Sequence, residues 1–160
     1  MSALNFANGM AALLTTDAVF QAELFALLGV EVTRVLKSAR DWKTVPTDQW
    51  PCILLEQGDG FAGSLLQDGS DNDGQTIGRT RAGYNSELDI ALLWSEPDRE
   101  RAFDQRAELP RLFAQLMLRN AQPGGIADAL LQTWQSDQGL NHPKQIWVAT
   151  LRGAYPIHRS

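Results

Sequence analysis

Few residues in this chain have the type and spacing that chemistry needs. One cysteine, Cys52, and two histidines, His142 and His158, are its whole complement of thiol and imidazole groups. A cysteine beside a histidine can act as nucleophile and base, but Cys52 follows Pro51 and opens the apolar run Cys52-Ile53-Leu54-Leu55, where a thiol serves as inert core filling. His142 stands beside Pro143 and His158 close to the last residue, and neither has the spacing of a zinc ligand set. A lone cysteine makes neither an internal disulfide nor a cysteine-based metal site.

The segment Asp68-Gly69-Ser70-Asp71-Asn72-Asp73-Gly74 alternates carboxylates beside a glycine, as a calcium loop does. The register fails, because aligning Gly74 with the invariant glycine leaves Gly69 at the first ligand position and Thr80 where a bidentate Glu belongs. Gly58-Asp59-Gly60 follows an apolar run without forming a dinucleotide fingerprint or a Walker loop. The expectation is therefore no catalytic residue, no cofactor and no metal. Arg79 and Arg81, two residues apart, would share one face of a strand and could meet an acidic partner, including the aspartates of a neighbouring copy. Asp68, Asp71, Asp73, Arg79 and Arg81 are accordingly the candidate residues for a subunit or assembly contact.

The elements that must position these groups follow from periodicity and punctuation. Phe20, Leu24, Leu27 and Leu28 recur at helical spacing after Thr16 or Asp17 as cap and before Gly29 as stop. The preceding Ala3 to Leu14 stretch reads as a short extra helix or an arm, since Asn5, Asn8 and Gly9 weaken a regular assignment. Val30, Val32, Val35 and Leu36 favour a strand. Pro46 and Pro51 bracket a turn before Cys52 to Leu55, a run suited to a strand covered on both faces.

Residues 58–78 hold six glycines and four aspartates with no Lys or Arg, which reads as a mobile loop or a long hairpin tip. Leu88, Ile90, Leu92 and Trp94 alternate with other positions along a strand from Tyr84 to Trp94. Ser95-Glu96-Pro97-Asp98 then caps a helix with Phe103, Leu109, Leu112, Phe113, Leu116 and Met117 inward, which Pro110 would kink or divide. Ala129 to Gln135 fits either helix or strand, and Gln145 to Tyr155 closes the chain on a strand. Of the five tryptophans most should be core, with an exposed one available for a subunit contact.

The totals fit a single domain: 160 residues, 44% hydrophobic and 21% charged. The net charge of −5 disfavours phosphate backbones and anionic lipid as main partners. No apolar run approaches the ~20 residues that span a bilayer and no secretory signal opens the chain, so a cytosol-like compartment is expected.

Three segments carry a resemblance: Gly29-Val30-Glu31-Val32-Thr33, then Arg40-Asp41-Trp42-Lys43-Thr44-Val45-Pro46, then Trp50-Pro51-Cys52-Ile53-Leu54-Leu55-Glu56-Gln57. In this order the chain resembles the tail terminator, or tail completion, proteins of long-tailed bacteriophages and prophages. Strand 84–94, the helix after it and Gly124-Gly125 extend the likeness more loosely. The chain departs from the pattern in an N-terminal extension, 1–15, ahead of the domain at 16–160, and in its long 58–78 loop.

The resemblance implies an α/β (α+β) fold, a mixed, mainly antiparallel sheet with helices packed on one face. It also implies a homo-oligomeric ring, commonly a hexamer, with no enzymatic activity. Such a ring sits in the virion at the head-proximal end of the tail tube, having assembled in the host cytoplasm. It ends tube polymerisation and docks the neck or head-completion protein. Its partners would be tail tube protein and neck protein, with no membrane and no sequence-specific nucleic acid, although DNA would pass through the bore. Two other expectations stand beside this one: a neck or stopper protein of the connector, and a small soluble ligand-binding module.

Overall fold

A computed structural model describes residues 3–37, 42–64, 82–120 and 128–157. The chain begins with helix α1 (Ala3–Thr16), whose Phe6, Met10 and Leu14 recur every fourth residue and are fully buried. That stripe resolves the choice between helix and arm in favour of helix, because tertiary packing outweighs the poor propensity of Asn5, Asn8 and Gly9. Helix α2 (Ala18–Leu28) starts at Asp17, whose side chain accepts from the Phe20 N–H at 2.8 Å. It stops at Gly29, where φ of 74° closes a left-handed cap. A Cβ there would also stand 2.8 Å from Arg101 Nη2, a contact that the flexible arginine can relieve, so it is the positive φ that calls for glycine.

The strand expected from Val30 is much shorter, β1 (Val35–Lys37). The Val32 carbonyl accepts from the Gln21 side chain at 3.0 Å instead of a ladder partner, so residues 31–34 stay outside the sheet. β2 (Cys52–Ser64) and β3 (Ala82–Ser95) pair antiparallel out to Ser64↔Ala82, with a register shift between Gln57 and Gly60. Residues 58–64, expected in a mobile loop or a long hairpin tip, thus extend the β2–β3 hairpin as strand; backbone pairing needs no apolar side chains. The rest of the expected loop, with Asp68, Asp71, Asp73, Arg79 and Arg81, lies outside the described residues.

Helix α3 (Arg99–Arg119) is capped by Asp98 and runs unbroken through Pro110, so the expected division does not occur. Leu109, Leu112 and Phe113, all buried around that proline, hold the helix to the sheet. β4 (Asp128–Ser136) settles the ambiguous segment as a strand, and β5 (Lys144–Ile157) closes the sheet. The strand order is β1-β2-β3-β5-β4, with only β1 and β2 parallel. The α+β class, the mainly antiparallel mixed sheet and the single helical face are as expected.

Period two then divides the sheet into two cores. Ile53, Leu55, Leu88, Ile90, Leu92, Trp94, Trp147, Ala149 and Leu151 meet the helices, α1 over β1 to β3 and α3 over β4. Phe113 of α3 contacts Phe20 edge-on at 5.1 Å and Trp147 at 4.9 Å. On the other face Cys52, Leu54, Leu93 and Ile146 pack under Trp42, Val45 and Trp50. Two short 3-10 turns, Trp42–Thr44 and Thr47–Gln49, bring these rings together at 6.4 Å. The polar turn with its tryptophans is thus the cover of the sheet's second face. No single helix among the described residues is long and apolar enough to cross a membrane.

Candidate functional site

One end of α3 is tied down by a buried polar network. Gln105 accepts from Trp94 Nε1 at 2.8 Å and donates to Glu96 Oε1 at 2.9 Å and to the Leu27 carbonyl at 3.2 Å. Glu96 also pairs with Arg101 at 2.9 Å, so β3, α2 and α3 converge with every partner satisfied. This arrangement fixes the side of α3 that faces β4.

Between α3 and β4 lies a groove of about 480 Å³. Phe103, Arg106 and Ala107 form one wall, Trp134 and Ser136 the other, and Trp147 lines it from β5. Phe103, expected to face inward, is 66% exposed. The inward stripe of α3 runs Ala102, Gln105, Leu109, Leu112, and Phe103 is rotated off it by one position, onto the groove. Trp134 is 54% exposed, whereas Trp94 and Trp147 are core as expected.

The groove is rich in hydrogen-bond donors. Trp147 is only 1% exposed, and its Nε1–H has no hydrogen-bond partner among the described residues. Arg106 donates to the amide oxygen of Gln145, and no carboxylate among the described residues forms an ion pair with it. Gln145 in turn donates to the Pro143 carbonyl at 3.3 Å and lies 3.3 Å from His142 Nδ1. His142 Nε2 contacts the Pro97 carbonyl at 3.0 Å, so this imidazole is engaged in holding the β4–β5 turn against the start of α3. The turn itself carries a non-glycine residue with positive φ, Gln138 at 55°, followed by Gly139 at 79°.

Cys52 sits elsewhere, fully buried among Leu54, Leu93 and Ile146. Burial pushes its thiol up, against a smaller opposing pull from Arg34. His158 and the five residues expected at an assembly contact are outside the described residues. The structure therefore leaves those candidates untouched and adds a group that sequence reasoning missed: Phe103, Arg106 and Trp134 around the Trp147 indole. Phe103 and Arg106 stand one helical turn apart, but only the fold shows that they border a strand carrying Trp134.

Fold and groove together define a small α+β domain with a five-stranded mixed sheet among the described residues and an aromatic, donor-lined cleft beside its β4 edge. No protein-family profile and no curated protein matches the chain. Among solved structures it is similar to a chain from the virion of a native gene transfer agent particle, with a TM-score of 0.51 and 14% identity over 98% of this chain and 100% of that one. The shared property is the fold.

Proposed function

We propose that this chain is a structural virion protein of the tail terminator type. In this reading copies close into a ring, commonly a hexamer, at the head-proximal end of the tail tube, stop tube growth and present a docking surface to the neck protein. The observation that carries the reading is the fold shared from end to end with a virion chain, covering 98% of one and 100% of the other. The segments at 29–33, 40–46 and 50–57 support it independently, since they resemble the tail terminator family. The protein then works by shape, with self-complementary surfaces and no covalent step. Cys52 buried in the sheet and His142 engaged in a turn are consistent with that.

The test is electron microscopy of the purified chain mixed with tail tube protein. Rings seated on tube ends are expected, and a gene deletion should yield particles with tubes of unregulated length. Density at the portal instead of on the tube would assign the chain to the neck. Cys52→Ser and His142→Ala should leave assembly and infectivity intact; loss of either in folded variants would revive a catalytic role.

A further inference from the structure

We infer that the groove between α3 and β4 is where a second copy of this chain docks, its exposed Val30–Glu31 corner set against β4 with Glu31 facing Arg106. This rests on the ring reading and names the surface through which the ring closes.

β4 carries the first argument. It is a terminal strand of nine residues whose described partner is β5 alone, and it contains no Lys, Arg or Pro. Natural edge strands are kept from pairing by such residues, by brevity or by cover. The opposite edge, β1, shows that protection, with three residues ending in Lys37. The one such device on β4 is the register shift between Leu131 and Thr133, which leaves regular ladder on either side of it. Among the described residues it is thus the long sheet edge whose backbone groups have no partner strand.

The groove beside that edge sets the chemistry of the occupant. The Trp147 N–H, like that of Trp50 on the other face of the sheet, is buried without an acceptor among the described residues, and a buried unmatched donor is costly. Arg106 is half-buried and without a carboxylate among the described residues. Phe103 and Trp134 add exposed aromatic surface on either side. A corner of chain that presents an acidic side chain to Arg106 with apolar surface next to it fits these walls.

The chain itself offers such a corner. Val30 is 41% exposed and Glu31 is exposed with no ion pair among the described residues, while Val32 is buried and the Val32 and Arg34 carbonyls hold the segment to its own subunit, so Val30 and Glu31 form a fixed, outward corner. This segment leads into β1, the edge of the sheet opposite β4. Joining opposite edges makes a heterologous contact, and a heterologous contact repeated with one rotation closes a ring.

The test is the solution mass of the full chain by light scattering across concentration, for wild type, Glu31→Arg, Arg106→Glu and the two together. Wild type should assemble beyond two copies. Each single reversal should weaken assembly by about tenfold or more, and the double reversal should recover most of the loss. Thermal melts check that each variant is folded; should Arg106→Glu fail there, Trp134→Lys, at an exposed site, must show the same loss of assembly. A strict monomer overturns the inference, as does a mass that stops at two copies, which would mean that β4 pairs with itself. Folded single variants that assemble like wild type also overturn it, yet leave the ring reading standing. Rings that obey the charge swap but ignore tube ends sink the proposed function and spare this surface.

Discussion

Asp17 shows how much one carboxylate does that spacing alone reveals only in part. Its capping role was legible, because an acidic residue just before a helical apolar pattern is a start signal. Its ties to Arg119 at 3.0 Å and Asn120 at 2.9 Å were not, since they join residues far apart in sequence. Burial pushes the Asp17 carboxyl up, but the Phe20 N–H, the Asn120 amide and the Arg119 guanidinium together outweigh it and hold its pKa below the usual carboxylate range. A carboxyl depressed in the folded state adds stability above its unfolded pKa of about 3.9, and loses it as pH falls through the folded value. Asp17→Ala should cost about 1–2 kcal/mol at neutral pH through loss of the cap and its partners. Asp17→Asn keeps a capping oxygen and gives up the ion pair, so its stability should fall less steeply than wild type over that acid range. Urea titrations at a series of pH values check both, and parallel acid slopes for wild type and Asp17→Asn would refute the linkage.

Among the elements, α3 teaches the difference between a helical stripe and its neighbours. Phe103 and Phe113 looked equivalent from spacing, yet Phe113 is fully buried between Phe20 and Trp147, while Phe103 is largely exposed. Phe113→Ala should therefore cost about 3–5 kcal/mol, and Phe103→Ala should stay within about 0.5 kcal/mol. Chemical denaturation of the two variants decides this; similar losses would mean that the inward face is misplaced. β3 and β5 were readable because apolar alternation is strongest where one face meets helices. α1 was obscured by Asn5, Asn8 and Gly9, although Asn8 simply faces outward and accepts from Lys37 Nζ at 2.7 Å. β1 was overextended because β-branched residues mark extended backbone without saying which carbonyls find ladder partners; that of Val32 meets Gln21 instead.

At the scale of the whole molecule, the class of fold followed from the order of elements, but the sheet order did not. β5 inserts between β3 and β4, a long-range choice that leaves β4 at the rim and creates the groove. No local pattern announces that Trp134 will be exposed beside Phe103 while Trp147 is sealed beneath them. If that rim is completed by another copy, folding and assembly are linked, because association stabilises the native chain by mass action. The melting temperature of wild type should then rise with protein concentration. It should also fall as salt screens the Glu31–Arg106 contact, though only modestly, since that pair is partly shielded from solvent in the assembly. Trp134→Lys supplies the charge that natural edge strands carry, so its melting temperature should be flat against concentration. At high dilution the two proteins should melt together, because an exposed side chain contributes little to the isolated subunit. Scanning calorimetry over a hundredfold concentration range, repeated at low and high salt, reads all four expectations. A wild-type melting temperature independent of concentration, in a range where light scattering sees assembly at room temperature, would mean that the copies separate before the chain unfolds, so that the β4 contact adds nothing to the stability of the fold at its melting point.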